Sequence, residues 1–246
     1  MTPDSLRIDF SGLAAPAPGG SPENGNGSRD GRGKGGFISR LLRWAAFLGF
    51  LAVLPFFTLV RVSVFLLQRF DLSSWSALAG GATATVLLLV LYLAAVSLRL
   101  GGKGRVPRSL MKGVGVFVTA YCLFGLLYLS GGNAKTEEIR TTYTSLNPIL
   151  RVGVSTLLLA DREGVLTATS RTLDDYAAWG LSANEASLHL PQEDGYVYAV
   201  DIRTLGRPEW RNGAVNLYFR IMGFSTLRHT GTADHLHVSL ESPPGI

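Results

Sequence analysis

The chain has 246 residues, 47% of them apolar, with a formal net charge of +5 and a mean hydropathy of +0.24 that is high for a soluble protein. Its single cysteine excludes an intrachain disulfide and a cysteine-based zinc site. The basic residues cluster beside apolar segments rather than interleaving with aromatic residues, a pattern typical of membrane topology signals and not of nucleic-acid binding.

The first third of the chain changes abruptly from polar to apolar composition. Residues 1–36 are rich in Pro, Gly, Ser and Asn and bury too little apolar surface to offset their ordering entropy, which predicts a disordered tail. Residues 37–130 form a transmembrane region with three apolar spans, at about 41–60, 75–98 and 113–130. Each approaches or exceeds the roughly 18–20 residues that cross a hydrocarbon core. The spans contain no Asp, Glu, Lys or His, which disfavours a channel or transporter.

Positive charge is distributed unevenly around these spans. Five basic residues lie between positions 29 and 43 and five between positions 99 and 112, against two, Arg61 and Arg69, between the first and second spans. The positive-inside rule therefore predicts a cytoplasmic N-terminal tail and a cytoplasmic second loop. Three crossings then place residues 131–246 outside the cytoplasm, in a cell membrane protein with several spans.

Residues 131–246 have the composition of an ordinary globular domain. Helical spacing predicts helices over 145–160, 172–179 and 208–222, the last with a proline at its start and a glycine after its end. Alternation predicts strands over 196–202, 224–229 and 235–240, the last two joined by a turn at 230–232. The sequence thus predicts a three-helix transmembrane region followed by a small α+β domain with an antiparallel sheet.

All four histidines lie in this last domain, between positions 189 and 237. His235 and His237 stand two apart on a predicted strand and therefore point to the same face. Together with His189 and Asp201 upstream, they offer the imidazole and carboxylate groups that zinc prefers when one coordination position is left open for water. Taken alone, the pair is more typical of structural or surface histidines.

The order of several motifs resembles the zinc D-Ala-D-Ala carboxypeptidase and Hedgehog-like peptidase superfamily over about residues 165–240. The motifs that carry the resemblance are Ser170-Arg171-Thr172, Tyr176, Asn184, Ser187-Leu188-His189, Ala199-Val200-Asp201-Ile202 and His235-Leu236-His237. The resemblance implies one zinc ion held by His189, Asp201 and His237. It also implies that Arg171 polarises the carbonyl of the substrate, and that the substrate is a peptide bond of cell-wall peptidoglycan, cleaved by a carboxypeptidase or endopeptidase.

Two residues are candidates for the catalytic base. His235 shares a strand face with His237 and could hydrogen-bond to the attacking water as its base, or stabilise the oxyanion instead. Asp234 stands three residues before His237, where related enzymes carry Glu. Strand parity points residues 234 and 237 to opposite faces unless a bulge intervenes, which argues against Asp234.

The interval from His189 to Asp201 is five residues longer than in the superfamily, and Gln192 stands three residues after the histidine, where the superfamily motif has a glycine. A turn at residues 193–195 would preserve both ends of the motif, because loop lengthening costs little; a shift of register would bring in Asp194 instead of Asp201. Two functions therefore stay open. One is a membrane-anchored zinc peptidase, and the other is a catalytically silent membrane protein whose outer domain binds cell-wall peptides or a protein partner.

Overall fold

The computed structural model describes residues 33–241 except 179, 181, 183, 184, 232 and 233. Of the tail predicted to be disordered, residues 1–32 lie outside the described residues, and residues 33–36 begin the first helix. Contacts divide the chain into two compact units, Met1–Ala46 and Phe47–Ile246. In the first unit the described residues are the start of that helix. The second unit contains the rest of that helix and all the other described elements.

Three long apolar helices confirm the predicted membrane helices. They are α1 (Gly33–Phe70), α2 (Ser74–Arg99) and α3 (Arg108–Leu127), and each is long and apolar enough to cross a membrane. Helix α1 continues about ten residues beyond the predicted span, where Val64 and Leu67 are buried in the protein core. The candidate membrane span of the structure therefore runs from Ile38 to Phe70, ten residues further than predicted at this end.

A small residue brings α1 and α2 into close contact. A Cβ atom added at Gly81 would overlap Ser63 Oγ and the carbonyl oxygen of Leu59. Ser63 itself is buried and donates its hydroxyl to Leu59 O at 2.7 Å. Glycine at this position therefore lets the two helix backbones approach, as small residues do between membrane helices.

The rest of the chain forms the predicted α+β domain. Its elements are α4 (Glu137–Thr141), α5 (Pro148–Ala160), β1 (Leu166–Ala168), α6 (Leu173–Ala178), β2 (Ala199–Arg203), α7 (Glu209–Met222), β3 (Ser225–His229) and β4 (His235–Ser239). The four strands form one antiparallel sheet in the order β1-β2-β4-β3. Of these elements, the short helix α4 and the short strand β1 were not predicted.

Local sequence explains where the two longer helices of this domain begin and end. Asn147 Oδ1 accepts a hydrogen bond from Ile149 N at 3.0 Å, which caps α5, and Pro148 occupies the first helical position. Helix α7 follows Pro208 and ends at Gly223, whose φ of 99° is in the left-handed region where glycine is unstrained.

The α+β domain shares its core with the membrane helices. Arg151 Nη1 donates to Leu126 O at 2.8 Å, and Tyr143 OH donates to Gly125 O at 3.2 Å. One continuous cluster of buried apolar residues runs from α1 to β4. The boundary predicted at residue 131 therefore does not separate two independently packed cores.

The sheet has two chemically different faces. Val200, Ile202, Leu236 and Val238 are buried on the face that joins the core, where α7 contacts β3 and β4. Because side chains alternate along a strand, the intervening residues of β2 and β4 lie on the other face. That second face carries the candidate site.

Candidate metal centre

Strand pairing brings two of the three predicted ligands, Asp201 and His237, together. Asp201 on β2 is directly opposite His237 on β4, and opposite residues of antiparallel strands point to the same face. Asp201 Oδ1 lies 2.9 Å from His237 Nδ1. The alternating sequence of each strand places its apolar neighbours in the core, so the register is fixed by burial.

His189 reaches the same place from the segment before β2. Its Nε2 lies 3.2 Å from Asp201 Oδ1 and 3.2 Å from His237 Nδ1. One ligand atom from each of the three residues lies within 4.8 Å of the other two. The structure therefore brings together all three predicted metal ligands.

A backbone carbonyl orients His189. Its Nδ1 is 2.6 Å from Thr169 O, a carbonyl that can only accept, so Nδ1 carries the proton and Nε2 presents its lone pair to the cluster. The carbonyl of His189 in turn accepts from Arg171 N at 2.9 Å. A second hydrogen bond of this kind fixes the tautomer of a metal-binding histidine.

The electrostatic environment keeps Asp201 ionised. Burial alone would raise the pKa of its carboxyl, but the contacts with the rings of His189 and His237, together with the charge of Arg171, hold that pKa well below its usual range. Arg171 Nη2 donates to Asp201 Oδ2 at 2.6 Å. One carboxylate oxygen is thus occupied by Arg171, while the other faces the two imidazoles.

The donor set fits a divalent transition metal. Two imidazole nitrogens and one carboxylate oxygen are ligands that zinc binds in tetrahedral sites with an open position. His189 and Asp201 are each 2% exposed, and the side chain of His237 is 23% exposed, so the group is accessible from one side only. A metal held here would therefore have one open side.

The candidate bases occupy different places. His235 Nε2 lies 3.7 Å from Asp201 Oδ2, on the site side of the sheet. Asp234 instead accepts hydrogen bonds from Arg228 Nε at 2.9 Å and from Thr204 Oγ1 at 2.6 Å. These two donors lower the pKa of Asp234 to about 2. Both of its oxygens are bound by Arg228, which disfavours Asp234 as a base.

A fourth histidine adjoins the site and was not predicted there. His229 lies opposite His235 across β3 and β4, and the two rings stack with centroids 4.8 Å apart. The alternation of β3 places His229 on one face of that strand. Only the register of β3 against β4 shows that this face carries the site.

An open cavity of about 440 Å³ surrounds the cluster. Its walls carry the four histidines with Asp201, Arg171, Tyr176, Ala186, Ser187, Leu188 and Leu227. Tyr176 OH donates to Ser187 Oγ at 2.7 Å, which links α6 to the segment that carries His189.

The extra residues between His189 and Asp201 form the predicted turn. Gln192 N donates to Tyr196 O at 2.9 Å, Gly195 N donates to Gln192 O at 2.8 Å, and Gly195 has a φ of 78°. Asp194 accepts from Tyr198 OH at 2.7 Å within this turn. The register alternative is therefore not realised, because Asp201 and not Asp194 joins the cluster.

Asn184 of the quoted motifs lies outside the described residues.

Comparisons with known proteins do not identify the chain: no protein-family model, no curated protein and no solved structure matches it. The candidate function consequently rests on the geometry of the site.

Proposed function

We propose that this protein is a membrane-anchored, zinc-dependent peptidase that hydrolyses peptides of the bacterial cell wall. The observation that carries the proposal is the convergence of His189, Asp201 and His237, with their ligand atoms within 4.8 Å of one another in an open cavity. The order of motifs along the sequence adds the resemblance to zinc D-Ala-D-Ala carboxypeptidases and related endopeptidases.

Bound zinc would supply a Lewis acid and a water of lowered pKa for hydrolysis. His235 is the proposed base, because its ring lies beside the cluster and is stacked against His229. Arg171 holds the second oxygen of Asp201, and its guanidinium lines the cavity where a substrate carbonyl would enter. These residues lie on paired strands or next to them, which favours a fixed geometry.

We further propose the orientation that the charge distribution favours. The basic clusters at positions 29–43 and 99–112 would be cytoplasmic. The ends of α1 and α3 and the metal centre would then face the cell wall. Such a placement matches a substrate that is polymeric and extracytoplasmic.

The alternative is a catalytically silent domain that binds cell-wall peptides or a protein partner. The ion pair between Arg171 and Asp201 supports it, since this arginine is engaged by a proposed ligand rather than directed to substrate. Metal binding alone would not distinguish the two functions, whereas turnover would.

The test uses the full chain, purified in detergent, because the core is shared with the membrane helices. We expect about one zinc per chain, lost in His237→Ala and retained in the matched control His229→Ala. We then expect release of amino acids or peptides from muropeptides, and loss of that release in His235→Ala with zinc retained. Zinc without any cleavage would support the silent alternative, and absence of zinc in the wild-type protein would contradict both the metal centre and the peptidase.

A further inference from the structure

Helix α7 carries apolar side chains on two opposite sides. The buried side packs on the sheet and the core through Val215, Phe219 and Met222. The other side is exposed and apolar at intervals of three and four residues, which on a helix form one stripe. This α7 stripe consists of Trp210, Ala214, Leu217 and Ile221.

The stripe is unusual for a face in contact with water. Trp210 is 75% exposed, Leu217 58% and Ile221 50%. Its neighbours on one flank are polar, with Glu209 bound to Arg228 and Asn216 bound to Thr226. A helix with an apolar stripe, a polar flank and little net hydrophobicity is typical of an element that lies in a membrane interface.

The other flank of α7 is attached to α5. Tyr218 OH donates to Gly153 O at 2.8 Å, and Arg211 Nη2 donates to Asp161 Oδ1 at 2.7 Å. Residues late in α7 thus meet the middle of α5, and residues early in α7 meet its end. The two helices therefore lie side by side and antiparallel.

This pair of helices lies where the apolar spans end. Helix α5 contacts the last turns of α3, through the bond from Arg151 to Leu126 O and through a 2.5 Å hydrogen bond between Thr156 and Tyr121. At the end of α7, a Cβ added at Gly223 would come within 2.5 Å of Arg61 Nη1. Arg61 follows the predicted span of residues 41–60 and lies in the last ten residues of the candidate membrane span Ile38–Phe70.

We propose that α7 is an interfacial helix whose stripe rests in the boundary region of the bilayer, at the end of the bundle where α3 terminates. The occupant that we assign to the exposed face is lipid, because α7 is attached through α5 and through Gly223 to helices that are long and apolar enough to cross a membrane. Tryptophan at one end and leucine and isoleucine along the rest suit this depth. The metal centre then faces away from the lipid, since it lies on the sheet face opposite to α7.

Site-directed spin labelling of the full chain tests the contact with lipid. In a Cys122→Ala background, a nitroxide at Leu217→Cys is compared with one at Leu227→Cys, a matched control of 57% exposure on the site side of the sheet. In phosphatidylcholine–phosphatidylglycerol vesicles we expect O₂ to reach the label at 217 more readily than a water-soluble nickel complex does, and the reverse at 227. Equal behaviour at both positions overturns the proposal. So does spin–spin broadening at 217 with neither reagent admitted, because it places a second copy of the chain on the stripe.

A second measurement needs no engineered cysteine. The fluorescence of Trp210 is obtained as the difference between the wild-type protein and Trp210→Phe. We expect this difference to be quenched by lipids brominated near the carbonyl end of the acyl chain and to be protected from aqueous iodide. Quenching by iodide without quenching by brominated lipid contradicts an interfacial α7, even if the labelled variants fail to fold.

Discussion

A single carbonyl, that of Thr169, determines which nitrogen of His189 faces the cluster. Its 2.6 Å contact with Nδ1 leaves Nε2 as the only lone pair of the ring. Arg171 likewise orients Asp201, because its Nη2 donates to the second carboxylate oxygen at 2.6 Å. At the scale of residues, the site is therefore defined by the partners of the ligands as much as by the ligands.

Removal of the Arg171 side chain tests this support. We expect Arg171→Ala to raise the dissociation constant for zinc by about 10- to 100-fold, because Asp201 loses its charged partner and its orientation. Competition with a chelator on the full-length protein measures the change. Arg211→Ala, which breaks an ion pair with Asp161 away from the cavity, is the control and should leave the constant unaltered. Equal affinity in the Arg171 variant would show that this arginine does not orient the ligand.

The two candidate bases predict opposite outcomes. Asp234→Asn keeps its shape and loses its charge, so we expect cleavage of muropeptides to continue at close to the wild-type rate. His235→Ala should abolish cleavage while zinc remains bound. Loss of turnover in the Asp234 variant, with normal zinc content, would reverse this assignment.

At the scale of elements, the sequence predicted most ends of helices and strands, because proline, glycine and turn residues mark them. Pro208 and Gly223 delimit α7 to within a residue, and alternation located β3 and β4. Strand β1 was not predicted because three residues are too few to show a period. The place of His229 could not be predicted either, since it depends on the register between two strands.

A substitution at Gly81 tests the contact between α1 and α2. Gly81→Ala adds a methyl group where Ser63 Oγ and Leu59 O already lie, so we expect a loss of about 1–3 kcal/mol in stability from overpacking. Gly115→Ala in α3 is the matched control, because a Cβ there meets nothing within 4 Å. Thermal unfolding in detergent compares the two variants. Unfolding of the Gly81 variant at the wild-type temperature would show that the helices do not pack there.

At the scale of the whole molecule, the membrane helices are part of the α+β core. The sequence predicted two parts joined at residue 131, because hydropathy reports composition and not packing. The structure instead packs α5 on α3, with Tyr143 and Arg151 bonded to carbonyls of that helix. Removal of the helices would leave these buried groups and an apolar surface exposed to water.

A fragment of residues 131–246 tests this integration. We expect it to aggregate or to lack cooperative unfolding, whereas the full-length protein in detergent unfolds cooperatively. Calorimetry and circular dichroism on both proteins measure the difference. A soluble fragment with a sharp transition and bound zinc would mean that the domain folds without the membrane helices.

X-ray absorption at the zinc edge of the full-length protein tests whether His189, Asp201 and His237 together bind one zinc ion. We expect two imidazole nitrogens at about 2.0–2.1 Å and carboxylate or water oxygens at about 2.0–2.2 Å, and loss of the zinc from a His189→Ala protein. A spectrum without imidazole scattering, or one unchanged by that substitution, would contradict a zinc ion bound by these three residues.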